Sequence, residues 1–139
     1  DETGKIEGEN LEIMSVGAGT AGAQSGDFGW SGNSQLWWRN GNIGDKLFTR
    51  FILNQTGRFN VSANLTKAPD YGIVQLYLNG EAAGPEFNGY NSDGVTTQEV
   101  NLGTHVLSEG ESILSVKILG ADEQAKQGNM AGIDWVKFE

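Results

Sequence analysis

Apolar and polar positions alternate with a period of two along most of this chain. Phe59, Val61, Ala63 and Leu65 alternate with Arg58, Asn60, Ser62 and Asn64, which predicts a strand with one buried face. Val74, Leu76 and Leu78 repeat the pattern within Tyr71 to Leu78, and Leu114, Val116 and Ile118 repeat it within Ser112 to Leu119. Less regular runs predict one or two short strands in Lys5 to Val16, and further strands at Gln35–Arg39, Lys46–Leu53, Gln98–Leu107 and Ile133–Glu139. Turn signals separate them at Asn40-Gly41-Asn42, Asn54 to Gly57, Asn79-Gly80 and Ser108-Glu109-Gly110. Gly17–Asn33, Glu86–Val95 and Ala121–Met130 read as longer polar loops. Eight or nine short strands without a helical period predict an all-β fold, a two-sheet antiparallel β-sandwich of the jelly-roll type. If consecutive strands alternate in direction, the loops at Asn40–Asp45, Lys67–Asp70, Asn88–Gly94 and Ala121–Met130 share one end. The turns at Gln55, Asn79 and Glu109 then share the other.

Length narrows the picture, since 139 residues suit a single domain spanning 1–139 with a core of its own. The chain has no cysteine, so neither disulfides nor thiolate metal sites contribute. A net charge of −9 argues against nucleic acid and anionic membrane surfaces as partners. It also weighs against a highly sulfated ligand, which only a local basic patch could overrule. No apolar run has the length of a membrane span, and no signal-peptide pattern opens the chain.

Candidate chemistry concentrates between Gly29 and Asp45, read GWSGNSQLWWRNGNIGD, which holds three of the four tryptophans. Trp37 and Trp38 are adjacent, so on a strand they point to opposite faces and only one of them can enter the core. Around Trp30, Trp37 and Trp38 stand Ser31, Asn33, Ser34, Gln35, Arg39 and Asn40. Flat rings beside amide and guanidinium groups suit a sugar, whose C–H face stacks and whose hydroxyls take hydrogen bonds. The competing reading is one core tryptophan and one shielded surface tryptophan. The predicted loop end adds Lys67, Asp70, Tyr71, Tyr90, Asn91 and Asn129, whereas the opposite end has only minimal polar turns.

Catalysis finds less support. The only histidine, His105, falls inside a predicted strand, where it reads as structural rather than as the base of a triad. Acidic loop residues such as Asp70, Asp93, Asp122 and Glu123 show no pairing that would mark a glycosidase. A metal has a better case. Glu7 and Glu9 lie two apart, hence on one face if the segment is extended, and Asp134 interrupts an apolar closing strand. Three carboxylates brought together would favour Ca²⁺. Solvated edge charges, or pairs with Lys5 or Lys137, are the alternatives.

The opening IEGENLEI resembles the (I/Y)EAEN start of family 6 and family 35 carbohydrate-binding modules, and the closing GIDWVKFE resembles their IDWIxF final strand. The LWW, TKAPDYGIVQLYLNG and NLGTHVL segments resemble a β-sandwich module appended to bacterial polysaccharide-degrading enzymes. This resemblance implies a galactose-binding-like jelly roll, non-catalytic, that binds a polysaccharide or oligosaccharide. It implies a structural Ca²⁺ on Glu7, Glu9 and Asp134, parent hydrolase or lyase domains in cis, a monomer, and a secreted, periplasmic or cell-surface location. The family's stacking aromatic corresponds to Trp37 or Trp38, and its second aromatic loop corresponds to the segment bearing Tyr90 and Asn91. Asn129 stands where the family has a ligand-bonding polar residue before the last strand. A structural or protein-docking module within a larger enzyme is the alternative to sugar binding.

Overall fold

Parity along each strand decides which side chains enter the sandwich. A computed structural model describes residues 4–139. Among the described residues eleven strands occur: β1 (Lys5–Glu7), β2 (Glu12–Val16), β3 (Thr20–Ser25), β4 (Ser34–Arg39), β5 (Lys46–Leu53) and β6 (Gly57–Lys67), followed by β7 (Ile73–Leu78), β8 (Glu81–Asn88), β9 (Thr96–Leu107), β10 (Gly110–Gly120) and β11 (Ala131–Phe138). Val61, Ala63 and Leu65 of β6, Leu114, Val116 and Ile118 of β10, and Val74, Leu76 and Leu78 of β7 are all buried. These are the residues that the alternation selects.

The strands form two antiparallel sheets, the expected sandwich. One has the order β3-β4-β11-β6-β9 with β1 beside β11, and the other has the order β2-β5-β10-β7-β8. The core between them joins Leu36 and Trp38 of β4 to Leu47 and Phe51 of β5 and to Ile133, Val136 and Phe138 of β11. Burying one such side chain contributes about 1.5–3 kcal/mol.

Two loops of the sequence reading are partly strand. β3 lies inside the expected loop 17–33, pairing with β4 from Thr20 opposite Arg39 to Ser25 opposite Ser34. Its residues, TAGAQS, carry no large apolar side chain; backbone pairing rather than side-chain packing makes it a strand. β8 likewise extends into the expected loop 86–95, because Phe87 is buried opposite Val74.

The four loops expected at one end are joined there by backbone hydrogen bonds. Gly41 N–H donates to Asn129 (3.2 Å), Lys126 to Pro69 (2.8 Å), Ala68 to Gly89 (2.9 Å) and Asn91 to Ala68 (3.2 Å). At the opposite end Glu109 N–H donates to the Thr56 hydroxyl at 2.8 Å. Gly41 follows Asn40, which turns the chain with φ 61°. A Cβ on Gly41 would meet the Trp38 indole at 2.9 Å, so this loop closes directly over the core tryptophan.

Candidate functional site

The three tryptophans of the 29–45 stretch have three different environments. Trp38 faces inward, is 0% exposed and donates its indole N–H to the Ala18 carbonyl at 2.9 Å. Trp30 is buried against the outer face of the six-stranded sheet, with its N–H on the Thr66 hydroxyl at 3.0 Å. Phe28, 5.0 Å away between ring centroids, covers it. Trp37 is half-buried on that same outer face. In register it stands between Gly22 of β3 and Gly132 of β11, so no neighbouring side chain flanks the indole within its row. Its Nε1 is buried and has no hydrogen-bond partner among the described residues.

Arg39 follows on the same face. Its guanidinium carbon lies 4.9 Å from the Trp37 ring centroid, a cation–π contact, and its Nε donates to Thr20 Oγ1 at 3.3 Å. Thr20, Ala21, Gly22, Ala23, Trp37 and Arg39 line a surface notch of about 190 Å³. A Cβ on Gly22 would meet nothing within 4 Å, so the space beside the ring is open.

Beneath this outer face runs a buried hydrogen-bond relay. Trp30 N–H donates to Thr66, whose hydroxyl donates to Gln35 Oε1. The Gln35 amide donates in turn to Tyr71 OH at 3.0 Å and to Gln24 Oε1 at 2.8 Å. Gln35 lies over Gly132, which has no room for a Cβ. Burial pushes the Tyr71 phenol up to about 12. Trp30, Trp38 and Tyr71, expected among the ligand residues, are thus structural: each is buried, and its polar atom is spent inside the protein.

The remaining expected residues sit at the loop end. β4 and β6 are separated by β11, so the end of β6 stands two strand spacings, about 10 Å, from Trp37. Lys67, at the end of β6, is half-buried over the Phe87 ring with its Nζ 3.4 Å from Gln98 Oε1. Tyr90 is half-exposed and bridges backbone to backbone with Ala68. The Asn91 amide holds its own turn by donating to the Gly94 carbonyl at 2.7 Å. The Asp70 carbonyl accepts from Asn129 N–H at 3.2 Å, and Asn129 Oδ1 is buried without a partner. A groove of about 740 Å³ between β8 and β9 is larger than the notch. Its lining mixes Lys67, Glu86, Asn88, Gln98 and Glu99 with Pro85 and Val100, and its one aromatic residue, Phe87, is buried. Volume favours that groove, but a half-exposed ring beside open space makes Trp37 the candidate for stacking a flat ligand. Gly22, Gly132 and Thr20 shape the site and escape a reading of the sequence. Their signal is register, with Gly22 and Gly132 facing Trp37 and Thr20 facing Arg39, which appears only once β4 is known to pair with β3 and β11.

The carboxylates come from three places. Glu7 ends β1, Glu9 lies in a 3-10 turn at Gly8–Asn10 rather than on an extended strand, and Asp134 is in β11. Burial raises the Glu9 and Asp134 pKa values. The charges of Glu7 and Asp134 raise Glu9 further, and that of Glu7 raises Asp134. Asp134 accepts from Ser31 N–H at 2.9 Å and from the Asn64 amide at 3.0 Å. Glu7 Oε2 accepts from Ser31 Oγ at 3.1 Å and pairs with Lys5 at 3.6 Å. Glu7 Oε1 and Glu9 Oε1 are buried with no hydrogen-bond partner. Among the described residues no three acidic, histidine or cysteine side chains are drawn together closely enough to form a ready-made metal centre. His105, read as structural, has its Nε2 2.7 Å from the Leu102 carbonyl.

No protein-family model matches the sequence, and no curated protein matches it significantly. Solved structures do match. A xanthan lyase from Paenibacillus superposes with a TM-score of 0.85 at 22% identity over 98% of this chain, which spans 13% of the lyase. A family 35 carbohydrate-binding module from an environmental isolate superposes with a TM-score of 0.65 at 14% identity, over 97% of this chain and 91% of that one. The fold is that of a carbohydrate-binding module. A family 36 module, described in complex with calcium and xylotriose, agrees with a TM-score of 0.58 at 20% identity, over 97% of this chain and 98% of that one. At these identities the likeness to the modules establishes the two-sheet architecture.

Proposed function

We propose that this protein is a single, non-catalytic carbohydrate-binding module that holds a polysaccharide or oligosaccharide by stacking a sugar ring on Trp37. The observation that carries this reading is the indole of Trp37, half-exposed between two glycines, with its N–H unpartnered and an open notch beside it. Arg39 borders the ring, and the loop end contributes Asn129, Tyr90, Asn91, Lys67 and Asp70 along the remainder of the chain of sugars. The modules of families 35 and 36 with the same fold, one of them bound to xylotriose, support the assignment. Glycoside hydrolysis needs two carboxylates flanking the bond. The notch is lined by Thr20 to Ala23, Trp37 and Arg39, which supports binding without catalysis. The xanthan lyase and a mannanase that contain this fold support parent enzyme domains in cis; a monomeric module that is secreted, periplasmic or at the cell surface belongs to the same proposal.

Calcium belongs to the same proposal. Two orphaned carboxylate oxygens, on Glu7 and Glu9, beside the buried Asp134 form a donor set of the oxygen-only kind that Ca²⁺ takes. When bound, the ion would add positive charge to that of Lys5, which already pairs with Glu7. It ties β1 and the 3-10 turn to β11.

Affinity electrophoresis and calorimetry against a panel of neutral and acidic polysaccharides, with calcium present, test the function. Dissociation constants of roughly micromolar to millimolar are expected, about −8 to −4 kcal/mol, and Trp37→Ala abolishes them. Retention on none of the glycans refutes the reading.

A further inference from the structure

The outer face of the six-stranded sheet carries a second accessible ring. Phe28, in the loop after β3, is 46% exposed and leans on the buried Trp30 with 5.0 Å between centroids. Its place follows from the parity of β3. Gly22 stands opposite Trp37 and Gln24 opposite Gln35, so Gly22, Gln24 and Gly26 point in turn to the face that Trp37 shares. Gly26 N–H keeps the chain on that line by donating to the Asn33 carbonyl at 2.9 Å. A Cβ on Gly26 would meet the Phe28 ring at 2.5 Å and Trp30 at 3.6 Å, whereas one on Gly22 would meet nothing within 4 Å. Phe28 therefore lies over Gly26, as Trp37 stands beside Gly22. Four residues of extended chain separate these glycines, about 13 Å.

Between the two rings stands only Gln24. Its Oε1 accepts from the Gln35 amide at 2.8 Å, and its own amide N–H groups bond to no side chain or backbone among the described residues, which leaves them for a hydroxyl. Contact with Trp30 holds the Phe28 ring while leaving it open to solvent, and a ring held in advance loses little freedom when a ligand stacks on it. A single pyranose cannot touch two platforms this far apart, but successive residues of one chain can. On the other side of Trp37, β4 continues through Arg39 into the loop end, so a ligand has room to run in both directions. We propose that a linear glycan lies along β3, from the loop end across Trp37 to Phe28. The module then grips the interior of a chain rather than its terminus, and Phe28 is the residue that measures chain length. This rests on the carbohydrate-binding reading above.

The test is calorimetry on size-fractionated ladders of xylan, mannan, glucan, galactan, pectin, alginate and xanthan, from the shortest fragment upward. For a glycan that binds, affinity rises about tenfold between fragments that cover Trp37 alone and those that reach Phe28, the size of one stacking contact, and then levels off. Phe28→Ala removes that rise and leaves the shortest fragments binding as they do to the wild type, whereas Phe28→Tyr keeps it. A thermal melt verifies that both variants fold. If the shortest fragment binds as tightly as the longest, or Phe28→Ala weakens every length alike or none, the chain-length inference is overturned and carbohydrate binding stands. Binding to no ladder overturns both.

Discussion

Gln35→Leu isolates the buried relay under the Trp37 face. The replacement has nearly the same volume, but it removes the acceptor of the Thr66 hydroxyl and the donor to Tyr71 and Gln24. Two groups, on Thr66 and Tyr71, are then left buried with a lost partner, at about 1–3 kcal/mol each. Burial of the leucine offsets ~1.5 kcal/mol. The net loss is about 2–3 kcal/mol, which for a domain of this length lowers Tm by roughly 10 °C. Urea unfolding followed by tryptophan fluorescence measures the free energy. A double-mutant cycle with Tyr71→Phe then locates it. Tyr71→Phe alone costs ~1 kcal/mol and costs almost nothing once Gln35 is leucine, because the hydroxyl has already lost its donor. A loss under about 0.5 kcal/mol for Gln35→Leu, or strict additivity in the cycle, refutes the relay as a stabilising unit.

Three further outcomes follow from the same geometry. Trp37→Ala abolishes sugar binding with a small change in the melt, whereas Trp38→Ala opens a core cavity and costs about 3–5 kcal/mol; calorimetry and melts on both variants separate the two roles. Chelation with EDTA lowers Tm by several degrees, since calcium at ~100 times its dissociation constant contributes ~2.7 kcal/mol, and Asp134→Ala removes the difference between calcium and EDTA; an unchanged wild-type midpoint rules out a structural ion. Folding holds the Tyr71 phenol neutral up to about 12 against about 10 when unfolded. Its contribution, ~2.7 kcal/mol, is therefore complete below pH 10 and lost as pH rises through 12. Tyr71→Phe flattens this stretch of the alkaline unfolding curve, and an unaltered curve contradicts the assignment.

Strand parity was the most legible feature of the chain. Alternation in β6, β7 and β10 identifies their inward residues, because Val61, Ala63, Leu65, Val74, Leu76, Leu78, Leu114, Val116 and Ile118 recur at every second position and are all buried. It also stated that Trp37 and Trp38 must part, but it could not say which turned inward. That choice depends on Leu36, which shares a side with Trp38 within the core, and on Gly22, which leaves open space beside Trp37. β3 stayed hidden because Thr20–Ser25 has small residues whose reason for being extended lies in another strand. Trp30 could not be placed since its ring reaches Thr66, 36 positions away, from a loop without periodicity. Glu7 and Glu9 were assigned one strand face, yet the chain turns at Gly8, whose Cβ would strike the Ile133 carbonyl. A close backbone approach of that kind leaves no trace in the sequence except the glycine.

The pairing of β1 with β11 sets how this domain answers a pulling force. Gly4 and Phe138 are joined by a backbone hydrogen bond, and Lys5, Ile6 and Glu7 stand opposite Lys137, Val136 and Trp135. Tension applied to the two ends therefore peels this ladder open one rung at a time, instead of shearing all rungs together. The zipper runs from the Phe138 end toward Glu7, where the next groups it meets are the carboxylates of Glu7 and Asp134 and the Ser31 bonds that join them. On the function proposed above, an ion seated there would be a catch at the end of the zipper, so calcium would raise the force at which the module opens when its two ends are pulled apart.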